Sequence, residues 1–491
     1  ERMTLKKDQT LGMDRDITRR DFLNGVNVAV AGSILAAPLV GALASEGTPS
    51  SAQMMSGYYP PTRTGMRGSH PGAFEMAHLL RDGESFEGST DTGEEYDLVV
   101  VGGGISGLAA AHFYRKEAGP DARILIIENH DDFGGHAKRN EFEYKGRTLV
   151  DLGGAEYIEA PWRYPDSAKT LLKDMGVDVS LAQKVFDHDL YPSLGLQCGV
   201  FFDKETFGAD KLVAGNPAFP LSEQQGSYVT LPAELEKGIG DKDKVSAFLD
   251  KTPLSAIARA EVLALFCDTE DYLKGHSHKE KLDLLKSTSY LDFLRNYVKV
   301  SPEVIDLFWM WRGSYMGTGT DIAPAIAAFR YGLPGAAGLG VEIAPSRGKE
   351  WSDHSYKEDL HFPDGNASVA RLLVRHMIPE SAPGNSMHDI ISAKFDYNKL
   401  DCEGAAVRIR LNSTALHVQH LGDPKTAKQV EVTYGRDGVL SRVRARKCVM
   451  ACYNAIIPHV CPEFPDNQKE ALGKMIRTPL VSTTVLIDNW R

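Results

Sequence analysis

Three glycines with the spacing Gly102-x-Gly104-x-x-Gly107 follow directly on an apolar, β-branched run, Tyr96-Asp97-Leu98-Val99-Val100-Val101. An Ala-rich stretch with helical character, Leu108 to Arg115, comes next. That order suits the pyrophosphate of a dinucleotide. A buried parallel strand delivers a tight turn, the second glycine lets backbone approach the phosphates, and the helix start, with Ile105 and Ser106, turns N–H groups toward negative charge. Alone, such a glycine spacing is a weak signal. Here a second strand pattern, Arg123-Ile124-Leu125-Ile126-Ile127, ends in an acid, Glu128, followed by Asn129. An acid at that point is placed to accept hydrogen bonds from ribose hydroxyls.

Two further segments carry glycine pairs: Asp131 to Arg139, with Gly134, Gly135 and His136, and Val150 to Tyr157, with Gly153, Gly154, Ala155 and Glu156. Paired glycines let backbone come close to something flat or charged. Two β-turns would explain them in isolation. Their place immediately after a strand–turn–helix–strand unit favours contact with the same cofactor.

The elements that must position these residues are set by a chain of 491 residues, long enough for two to four domains. A hydrophobic content of 42% with 25% charged residues describes a globular protein rather than a disordered one. The formal charge of −11 argues against nucleic acid and mildly favours cationic ligands. No repeat of solenoid or propeller period is present. A Gly/Pro/Ser-rich arm, 46–93, has the composition of a linker, although Phe74 to Leu80 has helical spacing and could dock. The middle region is helix-rich, with apolar i, i+3, i+4 spacing at Lys279 to Val298 and Pro302 to Trp311. Strand patterns return at Ala406 to Val418, Gln429 to Thr433 and Val443 to Ala451, and Val481 to Ile487 reads as one more.

The N-terminal run Thr18-Arg19-Arg20-Asp21-Phe22-Leu23-Asn24 is a twin-arginine export pattern. The mildly apolar stretch Val26 to Ala44 closes on the small-x-small pattern Ala42-Leu43-Ala44. A periplasmic location is expected, with membrane contact only through an uncut signal. The six cysteines form no C-x-x-C and no C-x-x-C-H, so neither a zinc ribbon nor covalently attached haem is indicated. Cys448 and Cys452 read as buried free thiols.

From Tyr96 to about Ile487 the chain resembles the flavin-containing amine oxidase superfamily, most clearly toward its two ends. The resemblance rests on the glycine turn with Glu128, the Gly134-Gly135 pair, Asp151-Leu152-Gly153-Gly154, and Pro363-Asp364-Gly365-Asn366 before an expected helix, Ala367 to Met377. It also rests on Arg408 to Val418, similar to the strand that flanks the adenine in that family, and on Lys447 to Tyr453. With the export pattern and the arm Arg67-Gly68-Ser69-His70-Pro71-Gly72, it is nearest the bacterial spermidine dehydrogenases. The implied fold is α/β: a doubly wound, Rossmann-like FAD-binding domain with an inserted α+β substrate domain. The expected division is 1–45 signal, 46–93 arm, 94–160 and 363–460 FAD-binding, 161–362 substrate domain, and 461–491 a return to the substrate domain.

The resemblance implies FAD, held by the residues above together with His417, Val418 and Ala451. It also implies hydride transfer from an amine-bearing carbon, and a non-covalent haem b. His70 and His78 are the candidate iron ligands, because the arm has no other evident task. For a small cationic amine, carboxylates and aromatic walls are wanted. Glu156, Tyr157, Glu159 and Trp162 are the candidates after the second glycine pair, and Trp311 and Tyr315 form a second cluster. Trp309 reads as core. Many family members carry a lysine in the segment matching Thr478 to Asn489; here there is none, and Thr484 or Val485 takes its place. Weak reaction with oxygen is therefore expected, with electrons passed from the flavin on to the haem, and an electron-acceptor protein or quinone as a further partner. The family's final glycine-rich segment would fall beyond Arg491. Other readings are oxidation of a carotenoid- or porphyrinogen-type apolar molecule, or a non-catalytic exported flavin or haem carrier.

Overall fold

The computed structural model describes residues 51–185, 190–196, 199–215, 241–309, 311, 317–343, 359–475 and 477–488. The export pattern, Cys198 and Tyr315 lie outside the described residues. Two compact units divide them: one holds 51–183 and 359–488, the other 184–343.

In the first unit the strands are β1 (Thr90–Val101), β2 (Ile124–Ile127) and the hairpin β3 (Arg139–Tyr144) with β4 (Arg147–Leu152). The second unit supplies a small antiparallel hairpin, β5 (Gly199–Phe202) with β6 (Lys211–Ala214). The chain then returns to the first unit with β7 (Val407–Arg410), β8 (Ser413–His420), β9 (Val430–Arg436) and β10 (Val439–Met450). The central sheet has the order β7-β2-β1-β10-β9-β8. Its first four strands are parallel and the last two antiparallel. Val99, Val100 and all four residues of β2 are almost fully buried, as a parallel strand covered on both faces requires. The Ile105–Ala118 helix leaves the carboxyl end of β1 and packs against the Ala367–Met377 helix.

Several expectations are corrected. The strand pattern Ala406 to Val418 is two strands, because Asn412 adopts φ +52° and turns the chain between β7 and β8. Val481 to Ile487 joins no ladder. Nor does 461–488 leave for the other unit: it stays with β3 and β4, where Asn140 Nδ2 donates to Thr484 Oγ1 at 3.3 Å and Tyr144 Oη to Asp488 at 2.6 Å. The boundary expected near residue 161 lies at 183.

The second unit is helical apart from its hairpin, and its core gathers Leu265, Tyr290, Phe293 and Phe308. Tyr290 is fully buried and its hydroxyl donates to the Pro334 carbonyl at 3.0 Å, which removes the cost of hiding it. The helical pattern Lys279 to Val298 is interrupted at Ser289, whose hydroxyl accepts from the Asp292 amide at 3.1 Å and starts a new helix. Among the described residues no helix is long and apolar enough to cross a membrane.

Candidate functional site

The carboxyl ends of β1 and β2 bring the motif residues together. Gly102 has φ +111°, and a Cβ there would stand 2.5 Å from the Ala451 carbonyl oxygen, so the turn admits only glycine. Its N–H donates to the Ile127 carbonyl at 2.8 Å, and Ala451 N–H to the Val101 carbonyl at 2.8 Å, fixing the turn between β2 and β10. A Cβ on Gly107 would collide with the Gly102 carbonyl, which is why helix and strand can approach so closely. No side chain caps the Ile105–Ala118 helix at Gly104. Its first N–H groups and positive dipole end lie at the carboxyl end of the sheet, where an anion is favoured.

The other glycine turns stack on this one through backbone. Gly134 N–H donates to the Gly103 carbonyl at 2.8 Å, Ala155 N–H to His136 at 2.9 Å, and Asn366 N–H to Ala155 at 2.9 Å. Gly153 and Gly154 are thereby held beside residues 136–138. Sequence-distant motifs around 104, 134, 154 and 366 thus form one continuous backbone layer.

Glu128 is 4% exposed. Its Oε2 accepts from the Gly103 amide at 2.6 Å, and its Oε1 accepts from the His130 amide at 2.9 Å and lies 2.7 Å from His130 Nδ1. Burial works to raise its pKa, but the hydrogen bonds and charge of His130, with Lys138, outweigh that and hold it at about 2. His130 is thus a site residue that the sequence reading missed. Its only signal was its position two residues beyond the acid.

The arm is no linker. Every residue from Asn129 to Asp132 is gripped by it. Asn129 Nδ2 donates to the Ala73 carbonyl at 2.6 Å, and His130 Nε2 lies 3.2 Å from the Gly68 carbonyl. Tyr58 Oη donates to the Asp131 carbonyl at 2.6 Å, and Arg63 pairs with Asp131 at 2.7 Å. Arg67 reaches Asp131 at 3.4 Å and Asp132 at 3.3 Å. Asn129, expected at the cofactor, therefore spends its amide on the arm. His70 accepts the Asp131 amide on Nε2 at 3.0 Å, and its Nδ1 lies 2.9 Å from the Pro71 carbonyl. Both ring nitrogens are engaged, so His70 does not fit an iron ligand. The His78 ring lies against Phe74, with centroids 5.2 Å apart. Among the described residues no three His, Cys, Asp or Glu side chains gather as a metal site.

The remaining candidates are scattered. His136 Nε2 meets Tyr453 Oη at 2.8 Å. Glu156, His417 and the Ala451 turn are partly exposed and Val418 is buried. Tyr157 stands edge-on to His361 at 5.1 Å, and Glu159 is exposed. Trp162 lines a cleft of about 750 Å³ with Pro161, Leu172 and Val177, whose charged groups are Lys169, Lys173 and Asp178. Two lysines there do not suit the end of a cationic amine. Trp311, in the other unit, lies tilted against buried Phe308 with ring centroids 5.4 Å apart, and packs with Trp309 against that unit's core. The five cysteines within the described residues are free, with Cys448 and Cys452 only partly buried.

Residues 100–174 match the NAD(P)-binding Rossmann-like domain family. This is a dinucleotide-binding α/β fold. Over 74 residues the chain is 39% identical to flavin-containing amine oxidase A of Bos taurus, a stretch covering 15% of this chain and 13% of that protein. Over 54 residues it is 43% identical to oxidoreductase PigB of Serratia sp. (strain ATCC 39006), covering 11% and 7%. Among solved structures it is similar to putrescine oxidase bound to putrescine, with a TM-score of 0.36, 16% identity, and coverage of 77% of this chain and 63% of that one. A fatty acid isomerase from P. acnes gives 0.33, 13%, 78% and 64%. The chain thus spans a small part of the relatives it matches in sequence and under two thirds of these solved chains.

Proposed function

We propose that this chain is an FAD-dependent oxidoreductase that oxidises a polyamine such as spermidine. The observation that carries this reading is the uncapped start of the Ile105–Ala118 helix at the turn that leads into it from β1, with buried Glu128 hydrogen-bonded to that same turn. Local likeness to a flavin-containing amine oxidase supports it. The residues present fit the cofactor: Ile105, Ser106 and Gly107 N–H groups for the pyrophosphate, Glu128 for the ribose, and the 134–136 and 153–156 turns for the remainder. When bound, the flavin supplies the acceptor for a hydride from the amine-bearing carbon. Water then hydrolyses the resulting imine to an aldehyde and a shorter amine.

The chain's own contribution is binding and orientation, and no protein nucleophile is required. In the 479–486 segment no lysine is present, and Thr484 Oγ1 is held by Asn140. Electrons are accordingly assigned to an acceptor other than oxygen. Because His70 does not fit an iron ligand, no step is routed through haem. The export pattern at 18–24 supports a periplasmic address reached by the twin-arginine route.

Anaerobic addition of spermidine to the purified, FAD-loaded protein tests the reading. Bleaching of the visible flavin absorption is expected. A flavin spectrum unmoved by spermidine, spermine or putrescine would overturn amine oxidation, and a Soret band in the same spectrum would report haem.

A further inference from the structure

The segment 51–81 precedes the dinucleotide unit in sequence yet lies over the end of β2. Its anchoring is unusually complete. Gln53 is fully buried, donating to the Ile409 carbonyl at 2.9 Å and accepting the Leu411 amide at 3.0 Å, so the arm is pinned at the end of β7. Asn412, at the turn into β8, donates to Tyr58 Oη at 3.1 Å. Beyond the grip on Asn129–Asp132, the Met76 thioether fills the space a Cβ on Gly435 would take, and the Glu75–Arg81 helix lies along β8. One chain of contacts runs from the arm to the ribose acid itself: Gly68 carbonyl, His130 ring, Glu128 Oε1.

We propose that the arm is a retaining strap. It fixes Glu128 through His130, closes the adenosine end of the dinucleotide crevice, and makes cofactor release wait for the arm to lift. Arg63 and Arg67, which clasp Asp131 and Asp132, are its fastening. They act on the cofactor through the 128–132 loop and are positioning residues. Opening must break the charge-assisted bonds of both arginines together with the Asn129 and Tyr58 bonds, and local openings of that kind gate ligand exchange. This rests on the FAD reading above.

The test is the rate of FAD release from the full-length holoprotein, followed by the rise of flavin fluorescence after dilution far below the Kd for FAD. In the Arg63→Ala/Arg67→Ala double variant, release is expected to accelerate about tenfold or more, and the Arg63→Lys/Arg67→Lys variant to recover most of that loss. The melting temperature of the two apoproteins serves as the control for a merely structural role, which would lower it without changing the release rate. Equal release rates in folded wild type and double variant would overturn the strap alone. Should the double variant fail to fold, Asn129→Ala, which removes only the bond to Ala73, is read in the same way. A wild type that takes up no FAD would refute the cofactor reading and the strap with it.

Discussion

At the scale of single residues, Glu128 decides most. Four groups converge on its carboxylate neighbourhood: the Gly103 amide, the His130 amide and ring, and the charge of Lys138. A charge so held serves the fold as well as the ligand. With a folded pKa of about 2 against an ordinary 4.5, the group binds fewer protons folded than unfolded. Its stabilisation is therefore complete above pH 4.5 and drains away as pH falls toward 2. Glu128→Gln removes the charge and keeps the shape. Urea unfolding of the two proteins is expected to show a stability gap that narrows on moving from neutral pH to about pH 3; a gap constant with pH would contradict the assignment. The same substitution weakens hydrogen bonds to the ribose, and FAD affinity should fall by about 1.5–3 kcal/mol, as titration by flavin fluorescence would read.

At the scale of elements, the turn from β1 into the Ile105–Ala118 helix depends on backbone contact. Gly107 lies against the Gly102 carbonyl and 3.2 Å, measured from its would-be Cβ, from Val100 Cγ1. Gly107→Ala must push the helix off the sheet, at a cost of about 1–3 kcal/mol or more in unfolding free energy, and it should impair FAD binding beyond that loss. Chemical denaturation and flavin titration of the variant check both halves. This element was legible from sequence because its determinants are local: glycine spacing, a β-branched run and an acid after the second strand. The arm was legible only in part. Helical spacing at Phe74 to Leu80 hinted at docking, but part of the arm's grip uses the Gly68 and Ala73 carbonyls, which any sequence provides. Val481 to Ile487 shows the converse failure. A β-branched run specifies a willingness to extend, whereas a strand also needs a partner edge, and here hairpin β3–β4 holds the segment by side chains. His70 was singled out because the arm lacked a task; the structure gives its ring one, on the Asp131 amide. Substrate residues were least legible, since aromatic residues and acids near a glycine pair carry no directional signal.

At the scale of the whole molecule, apolar burial is divided. One core surrounds Tyr290, Phe293 and Phe308 in the helical unit, and another lies along β1, β9 and β10 around Val99, Val432 and Val443. Separate cores predict separate cooperative transitions, since two-state unfolding is a property of single domains. The residues fitted to FAD, from Gly102 through Glu128 to Ala155, belong to the sheet unit alone. A ligand that binds one folded unit stabilises that unit by mass action, by about 2.7 kcal/mol at a hundredfold excess over Kd. Calorimetry is therefore expected to show two transitions, of which FAD raises one and leaves the other in place. Tryptophan fluorescence distinguishes them, because Trp309 and Trp311 belong to the helical unit and Trp162 to the sheet unit. Substituting both Trp162 and Trp490, the tryptophans of the 36–183 and 358–491 segments, by Phe should leave a signal that follows the FAD-insensitive step. If a single transition moved as a whole with FAD, the two cores would be energetically one, and the cofactor would stabilise the entire chain.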